Sequence, residues 1–184
     1  MAKAKSRPAS GQVDAIALLK ADHAEVKKMF KQFERMKEEG GDGEKAELAA
    51  RICAALTVHA RIEEEIFYPA VRDAIEDEDL MDEAEVEHAG AKSLISQIEG
   101  MQPGDPLYDA KVTVLGEQVD HHIKEEEGEM FTQVRESDLD LAELGAELMA
   151  RKGELEANAE MGAAGVSNPP PAGNQGREQR KPAS

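Results

Sequence analysis

The sequence predicts an all-α protein: an antiparallel up-down-up-down four-helix bundle with a short fifth helix towards its C-terminal end. Three observations lead there. Apolar residues recur at steps of three and four over four separate stretches, the spacing that keeps them on one face of a helix. Gly- and Pro-rich breaks separate these stretches, and connections this short make consecutive helices antiparallel neighbours. The composition favours Ala, Glu, Lys, Leu and Met, with 3% aromatics and no Trp, so helix propensity is high and the core must be aliphatic, with few aromatic anchors.

The first helix is expected from about Val13 to Glu38, with Ile16, Leu19, His23, Val26, Phe30 and Phe33 on its stripe. Gly40-Gly41-Asp42-Gly43 ends it, because successive glycines are poor helix formers. The second runs from about Glu44 to Ile75, with Leu48, Ile52, Ala55, His59, Ile62 and Ile66 aligned; Pro69 must kink it or end its regular part. The third spans roughly Leu80 to Gly100 and aligns Met81, Ala84, His88, Ala91, Ile95 and Ile98. Pro103-Gly104-Asp105-Pro106 follows, where Asp105 suits an N-cap and Pro106 the first helical position. The fourth continues to about Arg135 with Val112, Leu115, Val119, His122, Glu126 and Met130 in line. A fifth, from about Asp138 to Lys152, places Leu141, Leu144 and Leu148 on one face. The bundle is therefore expected over residues 13–156, between a disordered basic segment (1–12) and a disordered Pro/Gly-rich tail (157–184) with little to bury.

The 184 residues suit one domain with a sizeable core. A formal charge of −17 argues against nucleic acid as partner, since phosphate backbones are bound by clustered Lys and Arg; the acidic surface is read as a solubility device. Cys53, the sole cysteine, allows no intrachain disulfide and fits a helix as a buried, inert thiol. The basic N-terminus has no apolar stretch behind it, so no secretory signal is expected. No segment has the roughly 20 apolar residues of a membrane span. A cytoplasmic protein is expected; its oligomeric state is left open.

Each of the four long helices carries one histidine midway along its stripe: His23, His59, His88 and His122, four of the five in the chain. One histidine on an apolar face is usually a packed, satisfied residue. Four, one per helix, are hard to explain by packing, because a buried imidazole costs free energy unless both nitrogens find partners. A metal ion supplies one partner to each ring. Glu63 follows His59 by four residues and Glu126 follows His122 by four, which leaves each pair about 40° apart and one turn along the helix. With 39 acidic residues in the chain that spacing alone is weak, but the register places both glutamates on the apolar stripe, where a bare carboxylate is costly and a cation removes the cost. Glu64, Glu65, Glu125, Glu127 and Glu129 read as a solvated face. His121 and Glu125 share the same spacing, but the register favours His122; His121 is read as a surface residue or a donor behind the ligands. Four imidazoles and two carboxylates, with no thiolate, favour iron or manganese over structural zinc. If the carboxylates bridge, six side chains fill roughly eight positions around two ions and leave others open. A ferritin-like arrangement would need two Glu-x-x-His motifs, and only Glu85-x-x-His88 fits.

The run Leu18-Leu19-Lys20-Ala21-Asp22-His23, the segment His59-Ala-Arg-Ile-Glu63-Glu-Glu-Ile-Phe67-Tyr68-Pro69, the pair Glu87-His88 and the segment His122-Ile-Lys-Glu-Glu126-Glu-Gly-Glu-Met-Phe131 together resemble the hemerythrin-like, or HHE cation-binding, family over residues 13–135. The resemblance implies a non-haem centre of two iron ions, oxo- or hydroxo-bridged, held by His23, His59, Glu63, His88, His122 and Glu126, with bridging roles for the two glutamates. The sequence departs from the oxygen-carrying members. They have a further histidine where Lys92 stands, and typically an aspartate five residues after the last histidine, where this chain has Glu126 after four. Thr132 stands where the second motif often has proline. The missing histidine speaks against reversible O2 carriage. Tyr68 or Tyr108 could take the vacant position, although each also reads as a packing residue with its hydroxyl at the rim.

Open coordination positions, with no signalling domain in the sequence, lead to the expectation of a protein that binds or senses a small diatomic or peroxide ligand: O2, peroxide or nitric oxide. The alternatives are a di-iron enzyme with catalase- or peroxidase-like activity, and an iron storage or delivery protein.

Overall fold

The computed structural model describes residues 13–165. The segments 1–12 and 166–184, read above as disordered, lie outside the described residues, whereas 157–165 belong to the last helix. The helices are α1 (Ala15–Glu39), α2 (Asp42–Ile62), α3 (Tyr68–Arg72), α4 (Glu78–Glu99), α5 (Tyr108–Glu125), α6 (Phe131–Glu136) and α7 (Leu141–Gly165). Two π-helical turns join them in pairs: Glu63–Phe67 between α2 and α3, and Glu126–Met130 between α5 and α6. The result is four rods and a fifth helix. Around the bundle α1 packs on α2, α2 on α4, α4 on α5 and α5 on α1, while α7 lies against α1 and α2.

Local chemistry explains most of the ends. Asp14 accepts a hydrogen bond from the Ala17 N–H at 3.1 Å and starts α1; Asp77 does the same for α4 through the Leu80 N–H at 3.3 Å. Only Gly40 and Gly41 separate α1 from α2, and Asp42 and Gly43 are already helical. Asp105 does not cap α5 as the sequence suggested. Its carboxylate accepts from the Gln102 N–H at 2.8 Å and closes a turn, and α5 begins at Tyr108 after Leu107, which takes the left-handed conformation at φ 73°. The last helix runs past Lys152 to Gly165, because Leu155 is buried and Arg151 and Lys152 are ion-paired back to the bundle.

The stripes are buried with local shifts. On α2 Leu56 is buried and Ala55 exposed, and on α1 Met29 is buried more fully than Phe30, as expected when a 3.5-residue stripe drifts around a 3.6-residue helix. The larger shift occurs at the first π turn. There the Tyr68 N–H reaches back five residues to the Glu63 carbonyl, so one extra residue enters the turn. The buried position consequently moves from Ile66, where an unbroken helix would put it, to Phe67. Pro69 sits at the start of α3, where its missing N–H is tolerated. The second π turn forms without a proline, and the Thr132 hydroxyl donates to the Gly128 carbonyl at 2.9 Å instead.

Two apolar clusters result. One gathers Ile16, Leu19, Phe67, Met81, Phe131 and Leu148; the other gathers Phe33, Ile52, Ile95, Leu115, Val119 and Ile123. Each fully buried Leu, Ile or Phe contributes roughly 1.5–3 kcal/mol. Between the clusters lies a polar layer.

Candidate metal centre

The six residues singled out in the sequence meet in that layer. His23 comes from α1, His59 from α2, His88 from α4 and His122 from α5, while Glu63 and Glu126 open the two π turns. All six are buried, Glu63 to 0% and Glu126 to 1% relative exposure. They form two groups. His23, His59, Glu63 and Glu126 make one; Glu63, His88 and His122 make the other, so Glu63 belongs to both. In the first, the His23 and His59 Nε2 atoms are 3.0 Å apart, with Glu126 Oε2 3.2 Å from His23 Nε2 and Glu63 Oε1 3.0 Å from His59 Nε2. In the second, the His88 and His122 Nε2 atoms are 3.3 Å apart, and Glu63 Oε2 is 3.4 Å from His88 Nε2. Glu126 Oε2 also lies 3.9 Å from His122 Nε2.

A seventh side chain reaches the centre. Tyr68 is buried, and its hydroxyl stands 3.1 Å from His88 Nε2 and 3.4 Å from His122 Nε2. It is central, not at the rim; the π turn that moves Phe67 into the core also aims Tyr68 inward. Tyr108 packs in the distant apolar cluster and takes no part. Cys53 is buried there too, and burial raises its thiol pKa to about 11, as expected of an inert cysteine.

Behind each histidine stands a carboxylate. Glu127 Oε1 is 3.0 Å from His23 Nδ1, Glu64 Oε1 2.9 Å from His88 Nδ1, and Glu87 Oε2 2.8 Å from His122 Nδ1. Asp22 Oδ2 approaches His59 Nδ1 at 3.5 Å. These partners favour the tautomer that carries its proton on Nδ1 and turn every Nε2 lone pair inward. Glu64 and Glu127 are therefore not solvated-face residues. Tertiary contacts distinguish them from the other acids: besides the histidines, Lys20 holds Glu127 at 3.0 Å and Lys92 holds Glu64 at 2.6 Å. Glu65, by contrast, sits outside and binds Arg61 and Arg151. His122 is buried while the His121 side chain is 65% exposed, as the register indicated.

Electrostatics sharpen the picture. Burial pushes the Glu63 pKa up, but His59, His88 and His122 outweigh it and hold the carboxyl well below the usual range. Burial lowers His59, and the surrounding Glu63, Asp22 and Glu126 outweigh that and raise it to about 10. Burial and the nearby carboxylates drive the Tyr68 phenol well above its ordinary value. Among the described residues the buried side-chain polar atoms without a hydrogen-bond partner are Asp22 Oδ2, His59 Nδ1 and the four oxygens of Glu63 and Glu126, all in or beside this layer. A buried ion costs several kcal/mol when uncompensated, against a total stability of about 5–15 kcal/mol for a domain. Inward-facing imidazole lone pairs and orphaned carboxylate oxygens are the donor set of a cation site, and the residues present fit one.

Residues 14–134 match the hemerythrin HHE cation binding domain family. The chain belongs to that family. A solved hemerythrin HHE cation binding domain-containing protein from Mycobacterium kansasii has the same fold, with a TM-score of 0.69 at 24% identity over 85% of this chain and 95% of that one. A curated relative from Nostoc sp. (strain PCC 7120), named a DNA nickase, is 30% identical over 119 residues, 64% of this chain. The chain spans about a third (32%) of the length of that relative. In this hemerythrin-family chain Lys92 serves Glu64 and through it His88. No helix among the described residues is long and apolar enough to cross a membrane.

Proposed function

We propose that the chain is a non-haem di-iron protein that binds or senses a small oxidant, O2, peroxide or nitric oxide, at an iron pair held by His23, His59, Glu63, His88, His122 and Glu126, with Tyr68 as a further ligand. The observation that carries this reading is the pairing of two inward-facing donor groups through one shared carboxylate, Glu63. Oxygen and nitrogen donors without thiolate suit iron, which can supply one electron per ion to a bound oxidant. The chain's own residues do the rest. Asp22, Glu64, Glu87 and Glu127 orient the rings and raise their basicity. Glu63 spans both groups, and the Tyr68 oxygen lies beside the His88–His122 pair, where a cation would take the place of its proton.

A cavity of about 40 Å³ adjoins the four histidines and is walled by Val26, Leu56, Ala91, Ile95, Val119 and Ile123. A water needs roughly 10–15 Å³ of such space, so the cavity suits a molecule of two or three atoms. Its wall is mostly apolar, with Glu87, Lys92 and Gln118 as further polar members, and holds bulk water only weakly. That size is what supports a small oxidant over an organic substrate.

The protein, reduced anaerobically and then mixed with O2, peroxide and nitric oxide in turn, is expected to change its visible spectrum with at least one of them; no change with any would refute the reading. Sustained peroxide consumption, lost in His59→Ala, would move the assignment to a catalase- or peroxidase-like enzyme. The name of the Nostoc relative raises DNA as a partner, but a charge of −17 opposes phosphate backbones, and no nickase activity is proposed for this chain.

A further inference from the structure

Three of the four carboxylates that hold the histidines are themselves held by a lysine. Lys20 lies 3.0 Å from Glu127, Lys92 2.6 Å from Glu64 and Lys152 2.5 Å from Asp22. The fourth breaks the pattern. Glu87 turns its free oxygen, Oε1, to His121 Nε2 at 3.5 Å. A lysine brings a compact ammonium charge to its carboxylate, whereas an imidazole is a weaker base and a metal ligand. His121 Nε2 also lies 3.2 Å from Glu125 Oε1, one helical turn along α5. Three donor atoms from two helices thus converge where the other three positions have an ammonium group.

Their spacing is that of ligands around one ion. At zinc-to-N or zinc-to-O distances of about 2.0–2.2 Å, a tetrahedron has edges of roughly 3.3–3.6 Å; the observed edges are 3.2 and 3.5 Å, and all three atoms lie within 4.8 Å of one another. The surface depression they line also carries Asp79, Asp82 and Glu83, which draw cations towards it. Glu87 is a wall both of this depression and of the small cavity beside the buried histidines.

We propose that Glu87, His121 and Glu125 form a surface site for one exchangeable divalent cation of the zinc or ferrous class. The bound ion supplies at Glu87 the positive charge that lysines supply at Glu64, Glu127 and Asp22, and it fixes Glu87 on His122. The open side of the site leaves a fourth position for water. This site goes beyond the buried pair and does not depend on what that pair contains.

The test is calorimetric titration of the full chain, with its buried metals as isolated, using Zn2+. The wild type is expected to bind one equivalent more than His121→Ala, and Glu125→Gln to bind that equivalent at least tenfold more weakly, with circular dichroism of all three unchanged. Because the result is a difference between variants at an exposed position, His121, and a half-buried one, Glu125, neither in the buried layer, a failed buried-pair reading would not mimic it. Equal stoichiometry and affinity in the wild type and both variants would overturn the proposal, as would no Zn2+ uptake by the wild type.

Discussion

His23 and His59, brought from two different helices, turn their Nε2 atoms to within 3.0 Å of each other, although Glu127 and Asp22 stand at their Nδ1 atoms. Two neutral rings would set lone pair against lone pair at that distance, so the contact needs a positive charge between them, a proton in the metal-free chain, where the His59 pKa is raised to about 10. The His88–His122 pair repeats the arrangement at 3.3 Å. A bundle that wanted only stability would have placed leucines there, and the arrangement becomes favourable once a cation lies between the rings.

Glu63 is common to both groups, whereas Glu126 belongs to the His23–His59 group and stands 3.9 Å from His122 Nε2. Glu63→Gln is therefore expected to weaken metal binding at both positions at least tenfold, a loss of about 1.4 kcal/mol or more, and so to lower the metal retained at both. His88→Ala should spare one ion per chain. Elemental analysis of the two variants checks the difference.

The carboxylates behind the histidines should matter nearly as much as the ligands. Glu64→Gln and Glu127→Gln are each expected to weaken metal binding by about 10–100-fold. Lys92→Ala should act in the same direction and less strongly, since it loosens Glu64 without removing it. Competition with a chromophoric chelator measures all three.

Ala91 faces the small cavity. Ala91→Leu should fill it, leaving metal content unchanged while slowing the reaction of the reduced protein with O2 or nitric oxide at least tenfold. The added methylenes should cost about 1–3 kcal/mol of stability. Stopped-flow spectra and a denaturant titration separate the two effects.

In the metal-free chain the His59 pKa is raised from 6.5 to about 10. A raised pKa means that the folded state binds the proton more tightly, so this contribution is complete below about pH 6.5 and is lost as pH rises towards 10. Glu63, with its pKa lowered, contributes above its ordinary value near 4.5 and loses that contribution as pH falls. Metal-free protein should therefore be most stable between these limits. Metal must displace the His59 proton, so metal affinity should rise by about tenfold per pH unit between 6.5 and 10. Thermal melts and chelator competition across that range test both statements.

Much of this was readable in the sequence, for a physical reason. A four-helix bundle writes its core as periodicity, so four polar residues at the midpoints of four apolar stripes stand out, and His23, His59, His88 and His122 did. Glu63 and Glu126 followed from register. The outer carboxylates did not, because Glu64 and Glu127 differ from Glu65 and Glu129 only in what other helices bring to them. Ile66 and the Tyr68 hydroxyl depart from the sequence reading for a different cause. A π turn adds one residue without leaving a clear mark in the pattern, and everything after Glu63 rotates accordingly. Asp105 has the residue type of a helix cap, but backbone geometry at Leu107 gave it a turn to close instead.

The central claim is that the buried layer holds two ions, and metal content per chain tests it most directly. Protein purified from iron-replete cells should carry about two irons per chain by elemental analysis, falling in Glu63→Gln as above. A folded chain that retains no metal after both aerobic and anaerobic preparation, with Glu63→Gln no different from wild type, would contradict the account.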